Sequence, residues 1–593
     1  MKYFVYLLLL SCLMGTSNLN AQNFDLKWSQ KMQYDNFKDG FFQEFVGSTD
    51  QYVYGIYNNL ALTKKRKSRQ MKLVAFDKKT MKKVAEFPLK SKKDKSRSNK
   101  LRDFQYTKTV VLKDAIYVFW TKSSKSQTEV YTESFDVELD RKVKLKKVYT
   151  AKGASMGKKL SSAAPQVIIL NGKDGNNDLL IGSEIAKGKG ENIEFDYITI
   201  DSDFKETNKG HIKLPVAQTS RFTLGLSSYY EYGTDGNLYI KSYVRMSKDE
   251  RKLAKKGEYS AYSVLSVVDV ASSDITPYTM KYDGLNIFNF NLVTEGGDVK
   301  IYGFFNDMKK DPSGIRTHGI FYTTINQGEL EEPKFSYFDK KTLAELFKND
   351  AEDKRKTNGS KRKRDRAKPM DEEALDESYV IEIAKIIDKD NIVLFCSKVY
   401  NYSVTTCTTS SGGGQSCTTS YYCRKSNVTA FRLNNEGEIV WASNVDRLQT
   451  YGGWDVYDLR VVSDKNNFYV IYGSSFDVNA TKKTRKTAKS GKEIRDNFEY
   501  AIFEMESGKA KKNEFVVNKP GVKKKERKRV SPLSIQVFDN QFFVNSSRTT
   551  MKPWLTTAGC TVSLVCPPVL YYVILSGDMR KGTGYLGTIQ VVK

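Results

Sequence analysis

Histidine is the scarcest chemically useful residue in this chain, with two among 593 positions. His211 and His318 lie far apart, and neither has a Ser or Cys triad context, so acid–base chemistry by imidazole has little to build on. The same scarcity argues against a structural zinc site. Cys417 and Cys423 are not at CxxC spacing, and neither are Cys560 and Cys566. There is no G-x-S-x-G, no Walker loop and no H-E-x-x-H. Gly412, Gly413 and Gly414 sit in a Ser/Thr hairpin without the strand-to-helix setting or the lysine of a phosphate cradle. Proline is also sparse, at 12 residues, and no Pro- or Gly-rich linker divides the chain. After the first residues, no apolar run approaches the ~18 that make a spanning helix. No cofactor and no metal are expected.

The opening residues read as a signal peptide over 1–21. Lys2 gives the positive start, Phe4 to Leu10 the apolar run, and Leu19-Asn20-Ala21 a cleavage site before Gln22. The rival reading is a lipobox, Leu9-Leu10-Ser11-Cys12, with a lipid on Cys12. Its leader would fall short of the usual ~15–30 residues, so ordinary cleavage is expected. Export to the periplasm, the outer-membrane surface or the exterior follows. Lys and Arg number 96 against 69 Asp and Glu, a formal charge of +27. That excess favours anionic partners and says nothing about fold. Aromatics are plentiful, with 36 Tyr and 32 Phe, which suits extended packing rather than disorder.

One two-part pattern recurs eight times. A turn residue precedes an alternating aromatic and β-branched strand, as in Gln51 to Tyr57, Ala115 to Trp120 and Leu179 to Gly182. Further copies start near Asn237, Val299, Ile392, Phe468 and Phe542. A second strand follows each, clearest at Leu73 to Asp77 and Val428 to Arg432, with equivalents near Ser134, Tyr197, Val264, Phe321, Ala501 and Tyr571. Units spaced by roughly 60 to 90 residues are long for propeller blades but admissible with loop insertions. Each is too small to bury a core alone, and radial closure protects sheet edges. The expected fold is therefore an all-β propeller of about eight, alternatively seven, three- to four-stranded blades. It occupies residues 22–593, with a basic insertion around 350–377 and a protruding hairpin over 396–428. Tandem β-sandwiches are the competing architecture.

Two stretches carry a family resemblance. Ile301-Tyr302-Gly303-Phe304-Phe305-Asn306 is followed by Gly319 to Tyr322. Asn391 to Leu394 leads through a Tyr/Thr-rich hairpin to Gly437-Glu438-Ile439-Val440-Trp441-Ala442. This pattern, over roughly residues 290 to 480, resembles a group of uncharacterised exported proteins of Bacteroidetes. The resemblance implies a propeller-like envelope protein and carries over no functional residue.

If the recurring pair is the second and third strand of a blade, the loops between them share one face with the blade-to-blade connections. The loops include Lys64, Lys65, Arg66, Lys67 and Arg69; Lys248, Arg251, Lys252, Lys255 and Lys256; and Lys482, Lys483, Arg485, Lys486, Lys489 and Lys492. The connections add Lys90, Lys92, Lys93, Lys95 and Arg97; Lys354, Arg355, Lys361, Arg362, Lys363, Arg364 and Arg366; and Lys523, Lys524, Lys525, Arg527, Lys528 and Arg529. The positive excess is thus expected on one face, where it would concentrate an anionic envelope polymer, a glycan or an acidic partner protein. The plainer reading is a set of solvated loops that keep a large protein soluble. Nucleic acid is disfavoured because the runs lack interleaved aromatics for base stacking.

Folding the hairpin about Gly412 sets Cys407 opposite Cys417, which predicts a disulfide pinning the ribbon. Cys423 shares the face of Cys417, and Cys396 points the other way. Cys560 and Cys566 are candidates for a second bridge. Tyr400, Tyr402, Tyr421 and Tyr422 make the ribbon either a docking element or an edge packed on its own blade. Glu331-Glu332 and Asp371-Glu372-Glu373 read as solvated loop charges, and Asp77, Asp136 and Asp269 as turn residues. Asp174, Asn176 and Asp178 open like a calcium loop, but Leu179 and Ile185 stand where its glycine and distal glutamate belong. Three functional readings remain: a binding or assembly module, a glycan hydrolase or lyase using channel carboxylates, and a structural envelope scaffold.

Overall fold

Each of the eight alternating runs becomes the second strand of its own antiparallel sheet. The computed structural model describes residues 24–591 apart from 36–40, 59–70, 91–100, 153–164, 173–177, 186–190, 218–227, 246–260, 312–315, 348–373, 410–414, 453–457, 473–496, 524–527, 552–579 and gaps of one to three residues. Eight sheets of four or five strands follow one another along the chain, with one additional two-stranded sheet. In blade 1 the order is Phe41–Ser48, Tyr52–Asn58, Met71–Asp77, Lys83–Lys90, each strand paired to the next. Blades 2 to 7 repeat that up-and-down order, and the first strand of each is innermost.

The sheets are apolar on both faces, so each must be covered twice. Second strands such as Ile116–Ser123 read buried at five consecutive positions rather than alternating, the pattern of a strand with core on either side. Eight apolar clusters supply the cover, one at each junction between consecutive blades. Tyr54, Leu73 and Leu89 of blade 1 pack on Ile116, Val118 and Trp120 of blade 2. The last junction sets Phe543 and Leu586 of blade 8 against Phe45, Val53 and Phe76 of blade 1. The ring is closed, and the protein is an eight-bladed β-propeller.

Closure is also made by backbone hydrogen bonds, because blade 8 borrows a strand. Its own strands are Ile535–Phe538, Gln541–Met551 and Arg580–Val591, and the outermost position is filled by Phe24–Trp28. Register runs from Phe24 opposite Val591 to Trp28 opposite Gly587. The stretch near Tyr571, where the third strand of blade 8 was expected, lies outside the described residues. Arg580–Val591 is glycine-containing and less β-branched, so residue propensity gave it less weight than the pairing does.

Turns between third and fourth strands tie several blades to their neighbours. Asp136 Oδ1 accepts the backbone N–H groups of Glu138 and Asp140, and Asp201 Oδ1 those of Asp203 and Lys205. Asp77 and Asp269 act likewise, so these carboxylates serve turns as expected. The preceding blade reaches these turns. Tyr54 donates its hydroxyl to the Val137 carbonyl (2.8 Å), Tyr197 to Val270 (3.1 Å), and the Trp441 indole to Met505 (3.0 Å).

Phe24 is the anchor of the closing strand. It is 2% exposed and ringed by Tyr469, Tyr500, Phe515 and Phe542 at 4.4–5.9 Å between centroids. Phe24→Ala is expected to lower the unfolding free energy by about 3–5 kcal/mol, read as a fall in the urea midpoint. A loss below about 1 kcal/mol would mean the strand is not needed for closure.

Candidate functional site

The two rims of the propeller differ in the length of chain they carry. First strands meet second strands through tight turns, Ser48 to Tyr52 in blade 1 and Asp388 to Asn391 in blade 6. Third strands meet fourth strands almost as tightly, Phe135 to Arg141 and Ile200 to Glu206. At the opposite rim the second-to-third connections run from Asn58 to Met71, Arg245 to Ala261, Ile471 to Asn497 and Met551 to Arg580. The blade-to-blade connections leave from that same rim, because four antiparallel strands return the chain to the end where it entered. The longest of these, between blades 5 and 6, includes the helix Lys340–Phe347. Asp339 caps it through Thr342 N–H at 2.6 Å, and Leu343 and Leu346 are buried beneath it.

Most of the predicted basic residues lie outside the described residues: Lys64, Lys65, Arg66, Lys67 and Arg69; Lys361, Arg362, Lys363 and Arg364; Lys482, Lys483 and Arg485; Lys524, Lys525 and Arg527. Lys523 is described and exposed. Two lysines grouped with these runs turn inward instead. Lys90 ends the fourth strand of blade 1, 9% exposed, with Nζ donating to the Phe104 carbonyl and lying 5.8 Å from the Trp120 ring. Lys528 sits over Trp28 and Tyr585 at 5.3 and 4.7 Å, and burial lowers its pKa. Their long aliphatic stems favour such aromatic cover.

On the long-connection rim, blade 6 throws out a ribbon. Its strands Asn391–Thr409 and Gln415–Leu433 pair without a break from Lys398↔Ser426 to Thr409↔Gln415. Among the described residues the fourth strand accompanies them only as far as Tyr422↔Gly452, and the outer part shows two strands. Cys407 and Cys417 face each other in register and form the predicted disulfide, 2.05 Å between sulfurs. Tyr400 is 63% exposed, and its ring begins a file through Tyr402 to Tyr422 with centroids 5.9 and 5.3 Å apart. The ribbon therefore projects rather than packing along its blade. Cys396 and Cys423 are buried and take no part in that disulfide; Cys560 and Cys566 lie outside the described residues.

A buried ionic quartet roots this ribbon. Lys425 Nζ bonds Glu382 Oε1 and lies 2.9 Å from Asp458 Oδ1; the Arg447 guanidinium reaches both oxygens of Asp458 at 3.1 and 3.3 Å. All four side chains are at most 1% exposed. Glu382 Oε2 accepts the backbone N–H groups of Asp458 and Leu459, fixing the entry into blade 7. Two positive and two negative groups leave no net charge. These residues lie tens of positions apart, and no spacing in the sequence links them.

Beside the quartet the central channel opens into a cavity of about 600 Å³, lined by innermost strands of blades 6, 7, 8, 1 and 2. Lys108, Lys385 and Arg460 face it together with Glu44, Tyr106 and Gln536. Burial lowers the pKa of both lysines and raises that of Glu44, and Tyr106 is pushed up to about 12. Of the two carboxylates that line this cavity among the described residues, Glu382 is bound up in the quartet and Glu44 is not. The lining is cationic and not the converging acids that glycosidic cleavage by paired carboxylates requires.

The histidines have structural partners. His211 Nδ1 lies 2.6 Å from Asp196 Oδ1 on the outer strand of blade 3. His318 is 2% exposed and accepts the Asp307 N–H on Nδ1 at 3.1 Å. Asp178 is described, while Asp174 and Asn176 lie outside the described residues.

No family model matches the chain, and no curated protein matches its sequence. Among solved structures it is similar to polysaccharide lyase Uly1, at 9% identity and TM-score 0.30, covering 82% of this chain and 89% of that one. It is similar to Pyrococcus horikoshii acylaminoacyl peptidase at 9% identity and TM-score 0.31, covering 87% of this chain and 59% of that one. The Vanderwaltozyma polyspora Nup133 β-propeller domain matches at 11% identity and TM-score 0.20, over 34% of this chain and 52% of that one. Likeness at this level carries no argument about ligand or reaction.

Two outcomes follow from this geometry. Lys425→Met strands Glu382 in a dry site and is expected to cost about 3–5 kcal/mol of stability, by urea unfolding. An effect under about 1 kcal/mol would mean the quartet holds nothing in place. His318 has its pKa lowered from 6.5, chiefly by burial. Its neutral form is favoured in the fold, so its contribution is full above pH 6.5 and is lost as pH falls below that value. Between pH 7.5 and 5.5, His318→Gln should show a shallower fall in stability than the parent; equal slopes would refute this.

Proposed function

We propose that this protein is an exported binding or assembly module whose long-connection face contacts an anionic envelope surface, glycan or partner protein. The observation that carries this reading is the asymmetry of the rims. Tight turns close one face, while the other holds every long connection and the disulfide-pinned ribbon. The basic runs at 64–69, 361–366, 482–492 and 523–529 all belong, by sequence, to connections on that face. Clustered cations raise the local concentration of a polyanion, and bound counterions are released when it docks. The ribbon, with Tyr400 and Tyr421 exposed, supplies a second and less salt-sensitive contact. Export is supported by the leader-like start and by a disulfide in an exposed ribbon, which persists in oxidising compartments.

Dextran sulfate is a suitable first probe. Replacing the basic residues of 64–69, 361–366 and 523–529 by Gln or Ser should weaken its binding about tenfold or more at low salt, and much less at high salt. Affinity that stays level across all three replacements would rule out the basic face as the contact.

A further inference from the structure

Among the described residues, two cations of the channel lining, Lys108 and Lys385, have no carboxylate partner. Lys385, on the innermost strand of blade 6, is half-buried and makes no hydrogen bond or ion pair among the described residues. Across the cavity, Lys108 of blade 2 meets only the Ile169 carbonyl, 3.1 Å from Nζ. Arg460 is held in place by the carbonyls of Ile535 and Leu459, at 2.7 and 2.8 Å. A desolvated ammonium without a carboxylate is unfavourable and is relieved by an anion placed beside it. The acceptors on the same wall are also unused. Among the described residues, Gln536 Oε1 of blade 8 is buried with no donor, and the carboxylate of Glu44 of blade 1 shows no hydrogen bond. Such acceptors call for hydroxyl donors.

From this pairing we infer that the channel is a binding site for a small polyhydroxylated carboxylate, an acidic sugar unit, with its carboxylate between Lys108 and Lys385 and its hydroxyls on Glu44 and Gln536. A volume of about 600 Å³ lies within the range of small-molecule sites. Isoleucine, valine and phenylalanine side chains between the polar groups, Ile383, Val461 and Phe538, suit the C–H surface of a sugar ring. Nothing in the inference depends on the basic loops. The ligand is either a free acidic sugar or the end residue of an acidic polymer.

The test is calorimetric titration of the full mature chain with D-galacturonate and trigalacturonate, with galactose and sulfate as controls. Saturable binding of either acidic ligand is expected, with galactose and sulfate at least about tenfold weaker. Tighter binding of the trimer assigns a polymer end, and equal binding assigns the free sugar. Lys385→Met should weaken affinity about tenfold or more. That substitution removes an unpaired, partly desolvated charge, so the variant folds. Gln536→Leu is an independent variant on another blade. The loop-neutralised variant should bind D-galacturonate like the parent even where its dextran sulfate affinity is lost. The inference is overturned if neither acidic ligand saturates, if sulfate or galactose binds as tightly, if both channel variants match the parent, or if the loop variant loses galacturonate.

Discussion

A four-stranded sheet with apolar side chains on both faces cannot be left with either one in water. Everything else in this protein depends on that constraint. Ile116, Val118 and Trp120 face blade 1, while Tyr117 and Phe119 on the same strand face blade 3. Each blade must therefore be covered on both sides, and a row of such sheets has no stable end. Closing the row into a ring removes the ends. The final junction is secured by Phe24–Trp28, which completes blade 8 beside Arg580–Val591. Chain positions 24 and 591 are thereby hydrogen-bonded neighbours, and opening the ring would expose two apolar faces at once.

Ring closure leaves two rims on which the sequence is free to differ, and here they have diverged. One rim is built of short turns held by Asp and Asn side chains and grasped by tyrosine or tryptophan donors from the neighbouring blade. Lengthening those turns would break blade-to-blade contacts. The other rim carries the longer connections, where insertions cost little more than loop entropy. It has accumulated the long connections, the helix Lys340–Phe347 and the ribbon of blade 6. Where the ribbon rises and blade 7 begins, the buried quartet of Glu382, Lys425, Arg447 and Asp458 takes the place of apolar packing. Breaking it from one side would leave an unpaired charge in a dry site, so the ribbon root and the channel wall are held as one unit.

The strands that were legible in the sequence are those with dense apolar alternation, and in this fold these are the second and third of each blade. Cys407 and Cys417 were legible because a two-residue side-chain period about a glycine tip fixes which residues face each other. The first strands were harder to see. Phe41–Ser48 and Gln105–Val111 carry polar residues toward the channel and are interrupted by bulges, so their alternation is broken. The helix beginning at Lys340 was missed although Asp339 stands as its cap, because eight residues within a long polar connection give little periodicity. Lys90 and Lys528 were counted with basic runs, while their stems lie on Trp120, Trp28 and Tyr585, contacts made across strand or blade boundaries.

The sequence by itself determined the all-β repeat, left at about eight or alternatively seven units, and the disulfide at the ribbon. Each of these is a local property, set by a side-chain period or by position within a unit. Only the tertiary structure decided that the ring closes through its first strand, that Glu382, Lys425, Arg447 and Asp458 form one neutral cluster, and that Lys108, Lys385, Glu44 and Gln536 meet in the channel. Those groups come from different blades and lie tens to hundreds of residues apart. Their meeting depends on how eight sheets pack around an axis, and no interval along the chain encodes that.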